Sequence, residues 1–407
     1  MKVLLVGSGA REHALAWKIA QSPALSELHA APGNPGIAGL GRCHPLRVDD
    51  VEGLLALCRE QAIDLVVVGP EAPLVAGVED GLRRAGVAVF GPGASPARIE
   101  GSKSFAKEVM RAAGVPTAAE LEHVRAPCVI KADGLAAGKG VFVCRTEAEA
   151  QEAWKRAQAL GDRIVVEELL EGEEVSVFAV TDGVEAVLLA PAQDFKRLRD
   201  GDEGPNTGGM GSYSPVPFLS DDEAEEILEL VHRPVLAELA GRGVPFVGLL
   251  YAGLMLTDAG PRVLEFNCRF GDPETQAVLP RLDGDLLALL ASAAEGRLDA
   301  REASASADAA VTVVLAAAGY PEAPETGAEI RGLAEAEAAG ALVFHAGTAL
   351  REGRVVSAGG RVLSVTATAP TVSEARDRAY EAVASIDFEG AQYRSDIALK
   401  AALHVAS

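Results

Sequence analysis

Positive charge is in short supply in this sequence. Its 37 Lys and Arg face 59 Asp and Glu, which gives a formal net charge of -22. A protein that binds duplex nucleic acid needs Lys and Arg to replace phosphate counterions, and an anionic membrane makes a similar demand. The composition therefore argues against nucleic acid and membrane as partners. An anionic substrate must enter a pocket that is locally positive.

Cysteine and long apolar runs are also scarce. The five cysteines are odd in number and scattered, and none forms a CxxC pair, which argues against a disulfide framework and a structural zinc site. We expect reduced thiols in a cytoplasmic protein. No apolar stretch approaches the roughly 20 residues of a membrane span. The short apolar run before Gly7 predicts a first β-strand rather than a signal peptide.

The remaining composition is that of a globular protein with several domains. Of 407 residues, 49% are hydrophobic and 24% are charged, and at roughly 100–200 residues per domain two to four domains are expected. Short apolar runs at 3–6, 65–68 and 87–90 each end in a glycine turn and alternate with helical patterns. Fully apolar strands of this kind predict an α/β fold, with a doubly wound parallel sheet in an N-terminal domain of residues 1–100.

A different pattern follows, and we assign residues 101–295 to a central domain. A small α+β unit at about 116–181 would be its lid, and residues 193–217 read as a loop. The predicted strands are 128–131, 141–144, 163–168, 248–256 and 262–267, and the predicted helices are 102–113, 147–159 and 221–239. Residues 296–407 form a predicted C-terminal mixed α+β domain, with strands at 311–317, 341–345, 354–357 and 361–367 and a closing helix at 371–384.

The first glycine turn reads Gly7-Ser8-Gly9-Ala10-Arg11-Glu12. A dinucleotide fingerprint needs glycine where Glu12 stands, and the next strand, 28–31, lacks the carboxylate that holds a ribose. Glycines still bring backbone N–H groups to a helix N-terminus, where an anion is stabilised. Arg11 in the first turn would complement a bound phosphate. The alternative is a tight packing turn.

A second glycine loop runs from Lys131 to Gly140 and joins strand to strand. It departs from a Walker loop, since three residues rather than four separate Gly134 from Gly138 and Gly140 follows Lys139. A flexible hairpin flanked by lysines can fold over a triphosphate. The alternative is an ordinary surface hairpin with solvated lysines.

Acidic residues mark two further candidate positions. The turn from Glu167 to Glu174 closes a strand and could contact adenosine, although such turns are usually solvated surface. Glu265 and Asn267 lie two apart on a strand, hence on one face, and their oxygens suit Mg²⁺. Arg269 could bind the transferring phosphate or a substrate carboxylate. The alternative for this segment is the polar edge of a sheet.

Together these motifs resemble the ATP-grasp superfamily and, within it, the phosphoribosylamine–glycine ligase family. The resemblance covers nearly the whole chain. It rests on residues 11–14, 69–74, 100–103, 131–140, 204–211, 265–274, 344–348 and 359–363, in family order.

The resemblance implies an ATP-dependent carbon–nitrogen ligase that joins glycine to 5-phosphoribosylamine. Mg²⁺ or Mn²⁺ would be held by Glu265 and Asn267, and Arg269 and Lys131 would act in catalysis. The implied ATP-binding residues are Lys103, Lys131, Gly134, Gly138, Lys139, Gly140, Glu167, Glu168 and Glu174. The implied substrate residues are Gly9, Arg11, Glu71, Asp194, Lys196, Asn206, Thr207, Gly208 and Arg269. We expect a monomer or weak homodimer.

The chain departs from the family pattern at several positions. Ala10 replaces a usual glycine, Phe195 replaces a usual histidine, the connection at 116–129 is short, and residues 248–256 carry no acid opposite Glu265. Rival functions are another ATP-grasp carboxylate–amine ligase with a different acceptor, a nicotinamide-dependent dehydrogenase, and a nucleotide-binding regulator without turnover.

Overall fold

A five-stranded parallel sheet organises the first hundred residues of the computed structural model, which describes residues 1–134, 140–161 and 163–404. The strand order is β3-β2-β1-β4-β5. The strands are β1 (Lys2–Gly7), β2 (Glu27–Pro32), β3 (Arg42–Cys43), β4 (Leu65–Val68) and β5 (Ala88–Phe90). The helices are α1 (Ala10–Ile19), α2 (Pro35–Ala38), α3 (Val51–Gln61), α4 (Glu71–Val75), α5 (Val78–Arg84) and α6 (Ala94–Gly101).

The apolar strands explain why helices cover both faces of this sheet. Leu4 and Val6 of β1 pack in one buried cluster with α3 and α5, whereas Val3 and Leu5 pack in another with α1. Successive strand side chains point to opposite faces, so a strand without polar positions needs cover on both sides. The predicted doubly wound parallel sheet is confirmed.

A small antiparallel sheet follows α7 (Lys103–Ala113). It contains β6 (Cys128–Ala132), β7 (Val141–Cys144) and β8 (Ile164–Glu168), in the order β7-β6-β8, with α8 (Glu147–Leu160) packed against it. Thr146 caps α8 by accepting a hydrogen bond from the Glu149 N–H. The predicted strands and helix of the lid unit are confirmed. Residues 135–139 of the glycine hairpin, including Gly138 and Lys139, lie outside the described residues.

The region predicted as a loop at 193–217 contains strands. Two strands, β9 (Glu173–Asp182) and β10 (Ala186–Asp194), lead into the region. The strands within it are β11 (Arg197–Arg199), β12 (Glu203–Asn206) and β13 (Gly211–Ser214). The loop prediction was wrong because β11 and β12 pair only with each other, and β13 pairs with β10 and with a strand about 100 residues later. Such pairing leaves no local hydrophobic alternation to read.

The remaining central elements include the predicted helix and the predicted pair of strands, followed by two helices that were not predicted. They are α9 (Asp221–Ile227), α10 (Arg233–Gly241), β14 (Val247–Thr257), β15 (Gly260–Asn267), α11 (Glu274–Val278) and α12 (Leu286–Ala294). The single helix predicted at 221–239 is continuous, but a π-helical turn at 228–232 joins α9 to α10.

The C-terminal strands continue the central sheet. The elements are β16 (Ala309–Ala316), α13 (Leu333–Ala338), β17 (Leu342–His345), β18 (Thr348–Arg351), β19 (Arg354–Ser357), β20 (Arg361–Ala369), α14 (Val372–Ser385) and α15 (Leu399–His404). One eight-stranded sheet runs β15-β14-β9-β10-β13-β16-β20-β17. The predicted boundary at residue 295 therefore divides the chain between strands of a shared sheet, and it stays a prediction.

The first and last parts of the chain meet at α1. The Nδ1 atom of His13 accepts a hydrogen bond from the His345 N–H at 2.9 Å, and the Asn34 amide donates to the His345 carbonyl at 2.8 Å. Burial lowers the pKa of His13 to about 3, which keeps this ring neutral. Among the described helices, none has the length and apolarity needed to cross a membrane.

Gly332 offers a test of how α13 is anchored. Its φ is +83°, and a Cβ there would lie 1.8 Å from the Ser385 carbonyl oxygen. Gly340 has a similar φ of +89° but open space around it. Gly332→Ala is expected to lower the thermal unfolding midpoint clearly more than Gly340→Ala, which costs only the left-handed backbone, about 1–2 kcal/mol. Equal shifts in scanning calorimetry would contradict this close packing.

Candidate active site

The glycine turn after β1 makes room for the Glu12 side chain. The Gly9 N–H donates to Glu12 Oε2 at 2.6 Å. A Cβ at Gly7 or Gly69 would lie 2.5 or 2.2 Å from Glu12 atoms. The carboxylate thus fills the space that a dinucleotide would need, which is the physical reason that the nicotinamide hypothesis fails. Because Glu12 already uses the Gly9 N–H, phosphate binding at this turn stays a prediction.

Arg11 and Arg269 lie on either side of Glu71. Arg11 donates to Glu12 Oε1 at 2.6 Å and to the Phe270 carbonyl at 3.0 Å, and its Nη1 is 4.0 Å from Glu71 Oε2. The Nε atom of Arg269 is 3.2 Å from the same Glu71 oxygen. Burial acts to raise the pKa of Glu71, but Arg269 and Arg11 outweigh it and lower that pKa. Glu71 is therefore an anion between two guanidinium groups.

Arg269 also contacts Glu100 and Asn267. Its Nη2 lies 3.1 Å from Glu100 Oε1 and donates to Asn267 Oδ1 at 3.2 Å. Burial opposes the charge of Arg269, yet Glu100 and Glu71 raise its pKa overall. The guanidinium that was assigned to substrate is thus held by two carboxylates and an amide. An incoming anion must exchange with these partners.

A buried carboxylate holds two lysines beside the glycine hairpin. Glu167 is 2% exposed, and its oxygens lie 2.6 Å from Lys131 Nζ and 2.7 Å from Lys107 Nζ. Lys131 also donates to the Leu264 carbonyl at 2.8 Å. The Glu167 carboxylate is therefore a counterion to both lysines. Because both carboxylate oxygens are paired with lysines, only the backbone of Glu167 remains available to contact adenosine.

Lys103 occupies the mouth of a cleft next to this pair. The Lys103 N–H donates to Asp133 Oδ1 at 2.6 Å, and its Nζ donates to the Gly134 carbonyl at 2.9 Å. Burial lowers the pKa of Lys103, Glu265 opposes that change, and nearby Lys131 adds to it. The cleft is lined by Gly101, Ser102, Asp133, Gly134 and Arg163. The Gly140 carbonyl closes the hairpin base by accepting from the Ala132 N–H at 2.8 Å.

The other acids of the predicted nucleotide site separate in space. Glu168 accepts from the Ala119 N–H at 2.8 Å and so fixes the short connection after α7. Glu174 lies 2.7 Å from Lys196 Nζ. Burial, followed by the charges of Glu274, Glu174 and Glu265, raises the pKa of Asp194 to about 7 against the opposing charge of Lys196. Lys196 thus lies among acids on the substrate side.

One face of the central sheet collects the predicted metal ligands. Gly253 of β14 is opposite Glu265 on one side and Ser176 on the other, and Tyr251 is opposite Asn267. Directly opposed residues share a face. The Glu265 side chain lies over Gly253, because a Cβ there would be 3.4 Å from its Cγ. The departure from the family pattern at this position therefore leaves space beside Glu265.

The predicted acceptor segment is anchored by the C-terminal sheet. Thr207 donates from its N–H and its hydroxyl to the Lys196 carbonyl, at 2.8 and 2.9 Å. The Gly208 N–H donates to the Tyr320 hydroxyl at 2.9 Å, and Arg361 donates to the Gly208 carbonyl. Asn206 donates to the Val141 carbonyl of β7 at 3.5 Å. This segment therefore touches both the lid and the C-terminal domain.

Several site residues escaped the sequence analysis. Lys107 lies four residues after Lys103 on α7, a spacing that places both on one helix face and could have identified it. Arg361 also pairs with Asp272 at 2.9 Å. Glu274 is buried and accepts from the Tyr251 hydroxyl at 2.6 Å. Arg361 and Glu274 lie within motifs that carry the family resemblance, but only the fold brings them to the site.

Comparisons with known proteins cover almost the whole chain. The phosphoribosylglycinamide synthetase family matches through its N domain at residues 1–100, its ATP-grasp (A) domain at 101–275 and its C domain at 310–400. A phosphoribosylamine–glycine ligase of Streptomyces coelicolor is 54% identical, covering 99% of this chain and 100% of that protein. One from Rhizobium meliloti is 50% identical, covering 98% and 99%.

Solved structures give the same result. The phosphoribosylamine–glycine ligase of Thermotoga maritima superposes with a TM-score of 0.85 at 37% identity, covering 98% of this chain and 100% of that one. A biotin carboxylase from Campylobacter jejuni superposes with a TM-score of 0.69 at 13% identity, covering 98% of each chain. The second likeness shows the shared fold alone.

The buried charge trio is open to a direct test. Glu167→Gln leaves two buried ammonium groups without their counterion, and breaking such a pair costs about 3–5 kcal/mol. We expect a lower unfolding midpoint and a higher KM for ATP, because Lys131 loses its fixed position. Glu171→Gln, an exposed acid in the same turn, is the matched control. Wild-type stability in Glu167→Gln would refute the counterion role.

Proposed function

Because the chain belongs to the phosphoribosylglycinamide synthetase family, we propose that it joins glycine to 5-phosphoribosylamine with ATP. The products are glycinamide ribonucleotide, ADP and phosphate, as in purine biosynthesis. The observation that carries the proposal is that Lys103 and Lys131 lie near the strand end that bears Glu265, while Arg269 bonds to Asn267 two residues further on. Lys103 adjoins the cleft through Gly134, whose carbonyl accepts from its Nζ, and these cations stand out in a chain that is otherwise strongly acidic.

The chemistry requires activation of the glycine carboxylate, which is a poor acyl donor. Transfer of the γ-phosphoryl group gives glycyl phosphate, and the amine then attacks its carbonyl carbon and releases phosphate. Positioning and charge neutralisation supply most of the catalysis in such transfers. The route needs no protein nucleophile. In line with this, burial and the nearby Glu100 raise the pKa of the Cys268 thiol well above its usual range.

The ATP phosphates are proposed to bind Lys103 and Lys131 beneath the glycine hairpin. Glu167 supports this role because its Oε2 atom lies 2.6 Å from Lys131 Nζ and holds that lysine beside the cleft. Gly134, Gly138, Lys139 and Gly140 would close over the phosphates and exclude water, which otherwise hydrolyses an acyl phosphate. Glu168 and Glu174 are assigned to the adenosine side. Their observed partners are the Ala119 N–H and Lys196, and both glutamate side chains are partly exposed.

The donor set at β15 fits a divalent cation carried by ATP. Glu265 offers a carboxylate on a side chain that lies over Gly253, and Asn267 offers an amide oxygen. The described residues contain no group of three or more His, Cys, Asp or Glu side chains able to hold a metal on their own. Mg²⁺ often takes one or two protein ligands and completes its shell with phosphates and water. Bound there, Mg²⁺ or Mn²⁺ would neutralise phosphate charge.

The substrate side is assigned to the Arg11–Glu71–Arg269 cluster and to the segment around Lys196. A substrate carboxylate or phosphate would bind Arg269 by replacing its present partners, such as Glu71. Gly9 and Arg11 border the same cluster. Asp194, with its pKa raised to about 7, and Asn206, Thr207 and Gly208 would surround the acceptor amine. A carboxyl group that titrates near neutrality can accept the proton that the attacking amine loses as the amide bond forms.

A substrate panel tests the proposed activity. ADP formation by the full chain is measured with ATP and Mg²⁺, with glycine and phosphoribosylamine together and each alone. Amide formation that needs both substrates is the expected result. Equal ADP formation with another amine acceptor would overturn the assignment of phosphoribosylamine, and ATP hydrolysis without any amide would overturn the ligase function.

Glu265→Gln tests the metal assignment. The change keeps size and removes the charge that faces the cation, so turnover is expected to fall by at least about 100-fold. The concentration of Mg²⁺ needed for half-maximal nucleotide binding, measured by calorimetry, is expected to rise as well. Asp258→Asn, in the exposed turn of the same hairpin, serves as control. Unchanged turnover at saturating Mg²⁺ would remove Glu265 from the metal shell.

A further inference from the structure

Arg394 is the largest side chain that is fully buried, and it is charged. Its guanidinium forms a bidentate pair with Asp396, with both nitrogen–oxygen distances at 2.7 Å. A third nitrogen lies 2.7 Å from Asp202 Oδ1 and donates to the Arg197 carbonyl at 3.2 Å. A buried guanidinium persists only when such partners compensate its desolvation. Here two of those partners lie on the β11–β12 hairpin, about 190 residues earlier in the sequence.

The segment 394–396 therefore works as a strap across the β11–β12 hairpin. Asp396 accepts from the Gly201 N–H at 2.8 Å, and the Ser395 N–H donates to Asp200 Oδ1 at 2.8 Å. Gly201 and Asp202 both have positive φ, at 71° and 56°. Asp202 adopts a backbone conformation that is costly for a residue with a Cβ, so the strap holds a turn that would otherwise relax.

Phe195 connects the strap to the segment between β10 and β11. The Arg394 guanidinium lies over the Phe195 ring at 4.9 Å, and that ring also packs near Tyr213. A cation over an aromatic face is attracted by the ring quadrupole. Phe195 stands between Asp194 and Lys196, at the position where the family usually has histidine. A stacking contact thus holds this position, where a histidine would offer hydrogen bonds.

The geometry points to Arg394 as a positioning residue for the amine-binding segment, acting through Phe195 and the β11–β12 hairpin. This inference rests on the proposed function, which assigns Lys196 and Thr207 to the acceptor. Thr207 bonds to the Lys196 carbonyl, and Asn206 reaches the lid strand β7. Arg394 itself touches no reacting atom. Loosening the strap would let the hairpin drift while the ATP cleft around Lys103 and Lys131 stays in place.

Loss of the strap is expected to change the KM for phosphoribosylamine but not the KM for ATP. In Arg394→Lys, which keeps the charge but loses the bidentate fork, the KM for phosphoribosylamine is expected to rise about 10-fold to 100-fold, as small misplacements do. The KM for ATP is expected to change less than about twofold. Phosphate released per amide formed is expected to exceed the wild-type ratio, since an acyl phosphate that waits for its amine is hydrolysed.

Two further variants separate positioning from general destabilisation. Asp202→Asn keeps the Oδ1 acceptor but removes the negative charge from a largely exposed partner of Arg394, and it is expected to shift the same ratio in the same direction by less. Val383→Ala creates a cavity in the core of the same domain, under α14, and is expected to leave the ratio unchanged. If Arg394→Lys fails to fold, Asp202→Asn alone decides the question.

Hydrogen exchange tests the strap without any substrate. Residues 197–206 are expected to exchange faster in Arg394→Lys and Asp202→Asn, whereas the β18–β19 hairpin at 348–357 keeps its wild-type rate as an internal reference. An unchanged exchange rate at 197–206, or wild-type kinetics in folded Arg394→Lys, would overturn the positioning role. Failure of the wild-type chain to make the amide would instead overturn the proposed function and leave the exchange result valid.

Discussion

The ion cluster of Arg269 with Glu71 and Glu100 ties the N-terminal sheet to the central sheet. Both acids belong to N-terminal helices, whereas Arg269 follows β15, and the contacts span 3.1–3.2 Å. A charged group that has lost its water is strongly destabilising unless it is paired, so these residues fix the relative placement of the two sheets. The same ion pairs hold the Arg269 guanidinium at the boundary between the two sheets, where motifs from the N-terminal and central regions meet.

The lysines of the nucleotide cleft follow the same principle. A chain with net charge -22 repels ATP on approach, so its cations must be concentrated at the phosphate site, which we propose lies at these lysines. Glu167 holds Lys107 and Lys131 in place from a buried position. Prepositioned charge costs no reorganisation during phosphoryl transfer, which is the main source of catalysis in reactions of this kind. Stability and function thus depend on the same buried carboxylates.

The sequence predicted what depends on local pattern and missed what depends on tertiary pairing. The strands at 3–6 and 65–68 are apolar throughout, so their burial on both faces follows from composition. By contrast, β13 lies between β10 and β16, which is about 100 residues later, and no hydrophobic alternation marks it. Within the site, Lys131 was identified from its glycine hairpin. The side chain of Glu167 was not identified as its counterion, because an acidic turn alone reads as solvated surface.

Glu12 shows why a motif must be read with its neighbours. Its carboxylate caps the Gly9 N–H and fills space that Gly7 and Gly69 leave open. The glycines are therefore required, as in a dinucleotide fold, but for the opposite reason: they admit a protein anion where that fold admits a pyrophosphate. The Glu12 carboxylate also accepts from Arg11 at 2.6 Å, and the Arg11 guanidinium lies 4.0 Å from Glu71. The glycine turn therefore supports a buried cluster of charged side chains in place of a dinucleotide.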